Sequence, residues 1–141
     1  MPPVQLPARR ALFGALLAAA IVFATGCSDD DPVREDEPVV RVTLDEYAIT
    51  PQDVSVPSGR VQLVARNIGR LTHNLQVEIP PKDPDEQTES LGQTPTAQPG
   101  TTVTATVTLK PGTYLMRCSL ANHDDLGMTG TLVVRRRGQR G

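Results

Sequence analysis

Three residues towards the C-terminal end of the sequence offer three different kinds of metal ligand at even spacing. Cys118, His123 and Met128 are separated by four residues each time, and they supply a thiolate, an imidazole and a thioether. Thiolate and thioether sulfur together favour copper, especially as Cu(I). A copper centre that transfers electrons uses two histidines and one cysteine, with methionine as a weak axial ligand. The segment 114–131 therefore predicts such a centre, with one histidine still to be supplied from elsewhere.

The chain contains one other histidine, His73. Residues 73–78 alternate between apolar and polar side chains, and His73 shares the apolar face with Leu75 and Val77. An unpartnered imidazole on the inward face of a strand would be costly. A core histidine is ordinarily satisfied by a hydrogen bond, whereas here a metal ion is the alternative partner. With His73, the chain can offer four ligands to one metal site.

Other chemistry for these residues is less well supported. A catalytic Cys–His pair needs the histidine as general base and an oxyanion site nearby, and nothing in the sequence resembles the motif of a cysteine protease. A structural zinc site would use more Cys or His, and methionine is a poor zinc ligand. A copper oxidase would need further copper sites, and the chain has no more histidines to build them. We therefore predict that the protein is not an enzyme, and we assign Met116, two residues before Cys118, to the core.

The elements that must position these ligands are predicted to be short strands. From residue 39 onward the apolar side chains recur with a period of two, which favours β-strands. The predicted strands cover residues 39–45, 53–56, 61–66, 73–78, 101–109, 114–118 and 129–135. Residues 79–100 contain five prolines and no periodicity, so we expect a long loop inserted at the end of the sandwich. About seven strands, frequent turn signals and no helical period indicate an all-β sandwich.

The N-terminal region is predicted to be an export signal over residues 1–26. Arg9 and Arg10 precede an apolar run of 14 residues, which is short for a membrane span of about 20 residues and typical of a signal peptide. The run ends in Ala-Thr-Gly before Cys27, which resembles a bacterial lipobox with Cys27 as the lipidated residue. An ordinary cleavable signal, an uncleaved anchor and export through the twin-arginine route remain open. We expect an exported protein, periplasmic or lipid-anchored to the outer face of the cell membrane.

The rest of the chain divides into three predicted parts. Residues 27–38 form an acidic, solvated linker, residues 39–135 a single domain, and residues 136–141 a basic tail. The formal net charge of the chain is −2, which gives no reason to expect nucleic-acid binding. If Cys27 is lipidated, Cys118 is the only thiol left, so no disulfide can form. A lone exported thiol is well explained by a bound metal.

Two segments of the sequence resemble the cupredoxins, the family of small blue-copper proteins. The first is Asn67-Ile68-Gly69 followed by Thr72-His73-Asn74-Leu75. The second runs from Tyr114 to Leu132 and contains Cys118-Ser119, His123, Gly127-Met128 and Gly130-Thr131. The resemblance covers most of the chain after the linker and implies a Greek-key β-sandwich that holds one copper ion. The sequence departs from the family pattern in residues 79–100 and in its shortage of aromatic residues.

This resemblance also implies a role for each residue of the site. His73, Cys118 and His123 would be the strong equatorial ligands and Met128 the weak axial ligand of a copper that cycles between Cu(I) and Cu(II). Asn74 would tie to Ser119 and so hold the two ligand-bearing segments together. His123 would lie near the surface as the port for electrons.

The predicted function is one-electron transfer by a monomer between redox partner proteins. Because Asp124 and Asp125 follow His123, we hypothesise a partner with a basic docking patch. The alternative is a copper storage or delivery protein of the same fold. Methionine-rich or histidine-rich tracts would favour that alternative, and the sequence has neither.

Overall fold

Ten strands are present in the computed structural model, which describes residues 32–83 and 85–138. In chain order they are β1 (Val33–Arg34), β2 (Val39–Asp45), β3 (Ala48–Thr50), β4 (Asp53–Pro57), β5 (Gly59–Asn67), β6 (Gln76–Ile79), β7 (Glu89–Gln93), β8 (Thr102–Leu109), β9 (Gly112–Arg117) and β10 (Thr129–Arg135). The predicted signal over residues 1–26, Cys27 and residues 139–141 of the basic tail lie outside the described residues. Within the described residues, no helix has the length and apolar character needed to cross a membrane.

The strands form two mixed sheets. One sheet has the order β1-β4-β10-β9-β6-β7 and the other the order β3-β2-β5-β8. The pairs β1–β4, β4–β10 and β2–β5 are parallel, and the remaining pairs are antiparallel. The two sheets pack face to face, so the predicted all-β sandwich is confirmed.

Alternation of side chains along the strands builds the core between the sheets. In β2 the alternate residues Val40, Val42 and Leu44 are buried, while Arg41 and Asp45 are exposed. A strand projects successive side chains to opposite faces, so this period buries one face of each sheet. The inward faces of both sheets meet in one apolar cluster, which includes Val61, Leu63, Ala65, Val107, Leu109, Leu132 and Val134.

The expectation of a strandless loop over residues 79–100 is wrong. This segment contains β7, which pairs antiparallel with β6 and forms one edge of the larger sheet. Its residues are exposed or half-buried, so no apolar alternation marks the strand in the sequence. The short strands β1 and β3 lacked such a signal as well, which explains why the structure has ten strands where about seven were expected. β1 lies within the segment predicted as an acidic linker.

Residues 73–78 are buried on both faces rather than on one. Gln76 and Glu78, on the polar face, are almost as buried as Leu75 and Val77. His73 itself precedes β6 and forms an isolated antiparallel bridge with Ala97. The polar face of this segment therefore needs partners inside the protein.

The predicted ligands collect at one end of the sandwich, which we call the site end. β9 ends and β10 begins there, as the pairing of Arg117 with Thr129 shows. β6 also begins there, since Gln76 pairs with Arg117. The tight turn between β2 and β3, at Glu46 and Tyr47, belongs to the same end. Two loops and one turn therefore surround the four ligand-type residues.

Candidate metal centre

His73 is held in place by the segment that was expected to be a variable loop. The backbone N–H of His73 donates to the carbonyl of Ala97 at 3.2 Å, and the N–H of Ala97 donates to the carbonyl of His73 at 2.7 Å. Two residues after His73, the N–H of Leu75 donates to the hydroxyl of Thr94 at 3.0 Å. The side chain of His73 is completely buried. Residues 94–97 thus position the first ligand.

Residues 118–128, which we call the ligand loop, close on themselves between β9 and β10. The N–H of Cys118 donates to the carbonyl of Met128 at 3.1 Å, and the N–H of Met128 donates to the carbonyl of His123 at 3.0 Å. Gly127 has a φ of 110°, a backbone conformation that residues other than glycine rarely adopt. These hydrogen bonds bring the backbones of all three predicted ligands of the loop together at its neck.

Two imidazoles present the same ring atom, Nδ1, to the thiol of Cys118. The Sγ atom of Cys118 lies 3.5 Å from Nδ1 of His123 and 4.0 Å from Nδ1 of His73. Ligand atoms of the three residues all lie within 4.8 Å of one another. An ion bound at about 2.3 Å to sulfur and about 2.0 Å to nitrogen, at angles of about 110–120°, would hold the sulfur about 3.5–3.8 Å from each nitrogen. The distance from Cys118 to His123 lies in this range and that to His73 is slightly longer, so the spacing is close to that of a shared ion. The thiolate and imidazole donors fit copper.

The two methionines near the ligand loop are both completely buried. Met128, the predicted axial ligand, adjoins β10 and is bonded through its backbone to Cys118 and His123. Met116 lies inside β9, where the strand pattern predicts a core residue, and both methionines belong to the apolar cluster between the sheets.

Burial keeps His73 in the form that binds a metal. Removal from water and the neighbouring ring of His123 lower the pKa of His73 below its usual range, although Glu46 opposes the shift. The centroids of the two rings are 5.0 Å apart, so a positive charge on both would be unfavourable. A neutral imidazole is the species that coordinates a metal ion.

Asn74 and Ser119 join the two ligand-bearing segments by two hydrogen bonds. The side-chain amide of Asn74 donates to the hydroxyl of Ser119 at 2.8 Å, and its carbonyl oxygen accepts from the backbone N–H of Ser119 at 2.8 Å. Asn74 follows His73 and Ser119 follows Cys118, so the pair fixes the distance between two ligands.

A half-buried arginine, Arg117, links the ligand loop to β6. Arg117 donates to Glu78 at 2.9 Å and to Asp124, and Glu78 is only 1% exposed. Burial opposes the charge on Arg117, but the hydrogen bonds to the two carboxylates outweigh it and raise the pKa of Arg117 above its usual range. Asp124 is therefore engaged in an ion pair within the protein, and of the two acids proposed for docking only Asp125 is exposed.

His123 is 8% exposed and is covered by the turn between β2 and β3. The ring of Tyr47 meets the ring of His123 edge to face, with centroids 5.4 Å apart. Tyr47 has a φ of 63°, which is uncommon for a bulky residue. Beside this contact the exposed apolar side chains Ile68, Leu71 and Leu126 give the site end an apolar surface.

Several residues that shape this centre were not found from the sequence. Glu46 approaches the ring of His73, and Glu78 and Arg117 form an ion pair that continues to Asp124 of the ligand loop. Thr94 and Ala97 bind the backbone of the segment that contains His73. One pattern in the sequence pointed to Glu78. It lies on the polar face of the segment 73–78, whose apolar face carries His73. The other contacts join residues far apart in the chain, and no spacing rule links them.

Comparison with known proteins identifies the family of the chain and solved structures of similar fold. Residues 15–134 match the protein family described as the cupredoxin-like domain. No curated protein sequence matches the chain. The fold is similar to that of dithionite-reduced auracyanin from Roseiflexus castenholzii, with a TM-score of 0.62 and 22% identity over 72% of this chain and 99% of that chain. It is also similar to auracyanin A, a blue copper protein from Chloroflexus aurantiacus, with a TM-score of 0.59 and 22% identity over 74% of this chain and 100% of that chain.

Proposed function

The chain belongs to the family of cupredoxin-like domains, and from this premise we propose that it is a one-electron carrier with a single type 1 copper. The observation that carries the proposal is the convergence of two imidazole Nδ1 atoms on one buried thiol sulfur. With the buried methionine of the ligand loop, these residues form the His-Cys-His-Met set of a type 1 copper site: His73, Cys118, His123 and Met128. Auracyanin A, a blue copper protein, has a similar fold.

Copper bound to these residues supplies a Cu(II)/Cu(I) couple that accepts one electron from a donor and passes one to an acceptor. The protein contributes a fixed arrangement of ligands, which suits this role because little has to move when the charge changes. The strand bridge to Ala97 holds His73, the neck of the ligand loop holds Cys118 and Met128, and Asn74 ties the two segments together.

The redox partners dock, in this proposal, on the apolar surface at the site end. His123 lies beneath that surface, with Tyr47 and Leu126 exposed nearby. Asp125 is the exposed acid that would steer a basic partner. Rates of electron transfer should fall as ionic strength rises, and an Asp125→Asn variant should weaken that dependence. Identical salt dependence in both proteins would remove Asp125 from the proposal.

Voltammetry of the copper-loaded protein separates electron transfer from copper storage or delivery. A carrier gives a reversible one-electron wave and keeps its copper through repeated cycles. A delivery protein loses Cu(I) to a competing chelator of moderate affinity once it is reduced. The proposal fails if reduction is irreversible or releases the metal.

We also propose that the protein is exported and anchored to the outer face of the cell membrane through Cys27. The support is in the sequence, where an apolar run of signal-peptide length ends at a lipobox-like Ala-Thr-Gly-Cys. Mass spectrometry of the protein from membranes should find a lipid on Cys27 as the first residue, and Cys27→Ser should release the domain. A soluble wild-type protein without lipid would refute the anchor.

A further inference from the structure

We propose that Glu46 is a positioning residue of the copper site, whose carboxylate fixes the ring of His73 and lowers the reduction potential of the metal. The inference rests on the proposed function and adds a residue that belongs to neither ligand-bearing segment. Glu46 lies in the turn between β2 and β3, at the site end of the other sheet. Its partner is the ring nitrogen of His73 that points away from Cys118.

The contact joins a buried nitrogen to an anchored carboxylate oxygen. Nε2 of His73 is buried and has no hydrogen-bond partner in the part of the chain that the structure describes. Oε1 of Glu46 lies 3.6 Å from Nε2 of His73. On the opposite side of the ring, Nδ1 faces Sγ of Cys118. A proton on Nε2 therefore faces the carboxylate and leaves the lone pair of Nδ1 free for a metal.

The carboxylate is held in place independently of His73. Oε1 of Glu46 accepts hydrogen bonds from the backbone N–H groups of Arg70 at 2.6 Å and Leu71 at 2.8 Å. Asp45 accepts the backbone N–H of Glu46 at 2.8 Å, which fixes the turn. The carboxylate of Glu46 is therefore anchored to the backbone beside His73.

Gly69 shows that the chain leaves room for this oxygen. A β-carbon at Gly69 would lie 2.5 Å from Oε1 of Glu46, a distance that real contacts do not reach. A larger residue at position 69 would therefore have to displace the carboxylate of Glu46 from its present position.

A fixed negative charge behind one ligand has a defined effect on the metal. It stabilises Cu(II) more than Cu(I), because the attraction grows with the charge of the ion. It also makes the imidazole a stronger donor, as carboxylate partners of ligating histidines do. Both effects lower the reduction potential.

The test compares Glu46→Gln with Asp45→Asn in the copper-loaded, full-length protein. Glu46→Gln keeps an oxygen for the two N–H groups and removes the charge next to His73. We expect its Cu(II)/Cu(I) equilibrium to shift towards Cu(I) by about tenfold, taken from the low end of the effect that loss of such a partner has on metal affinity; this is about 59 mV for one electron. Asp45→Asn removes a charge from the same turn without removing that contact, and it should shift the equilibrium much less. Equal shifts in both variants, or none in Glu46→Gln, would overturn the proposal.

Nitrogen NMR of the metal-free wild-type protein gives a second readout that needs no variant. The proton of the neutral His73 ring should reside on Nε2, with Nδ1 unprotonated. A proton on Nδ1 would contradict the assigned role of Glu46. A wild-type protein that binds no copper would refute the proposed function instead, whereas a blue wild-type protein with an unshifted Glu46→Gln variant would refute only the role of Glu46.

Discussion

Replacing Arg117 by methionine should strongly destabilise the metal-free protein. Glu78 is 1% exposed and uses one carboxylate oxygen to accept from Arg117, while its other oxygen has no partner among the described residues. Removing one member of a buried ion pair costs about 3–5 kcal/mol, because the remaining charge stays buried without compensation. The side chain of Arg117 is 27% exposed, which places the expected loss at the lower end, about 3 kcal/mol. For a domain of this size that corresponds to a fall in Tm of at least about 10 °C.

Thermal unfolding followed by circular dichroism measures this loss. Arg41→Met is the matched control, since Arg41 contacts Glu35 and Glu37 at 3.7 and 3.6 Å but is 53% exposed, and exposed ion pairs contribute about 0–1 kcal/mol. Adding Glu78→Gln to Arg117→Met should restore part of the stability, because the buried charge is then gone. Equal small effects of Arg117→Met and Arg41→Met would refute the idea that Glu78 depends on its arginine.

Two further substitutions test the parts that hold the ligands. Asn74→Ala removes both hydrogen bonds to the ligand loop. It should lower the free energy of unfolding by about 1–3 kcal/mol and speed the loss of copper to a chelator, whereas a rate equal to wild type would show that the tie is unimportant. Gly130→Ala places a β-carbon against the carbonyl oxygen of Gln52, while at Gly112 the nearest atoms are 3.7 Å from such a carbon. Chemical denaturation should therefore show a loss of about 1–3 kcal/mol at Gly130 and a much smaller one for Gly112→Ala, and equal losses would contradict the close approach.

The strands with a buried face could be predicted from the sequence, and so could the copper site. β2, β5, β8 and β10 alternate apolar and polar residues because one face packs in the core, and that periodicity is visible in a single sequence. The ligand loop could be predicted because its three ligand types are rare and evenly spaced. His73 was found because it was the remaining histidine and shared an apolar face.

Contacts made across the fold could not be predicted in the same way. β7 has no buried face and carries no periodic signal, yet the segment just after it binds the backbone of His73 through Ala97. Glu46 and His73 are separated by three strands, β3, β4 and β5, and their approach follows from the pairing of β2 with β5. Asp124 looked like an exposed docking acid, but it pairs with Arg117, seven residues earlier at the end of β9, because the ligand loop folds back on that strand. In each case tertiary packing decides the role, and sequence patterns describe only local periods.

The central claim is a type 1 copper site formed by four named residues, and it is tested most directly by adding Cu(II) to the metal-free protein. We expect one copper per chain and an intense blue colour from charge transfer between the thiolate of Cys118 and the metal. Cys118→Ala and His73→Ala should abolish the colour, while Met116→Leu, a change at the buried methionine assigned to the core, should keep it. A wild-type protein that binds one equivalent of copper and stays colourless would contradict the account.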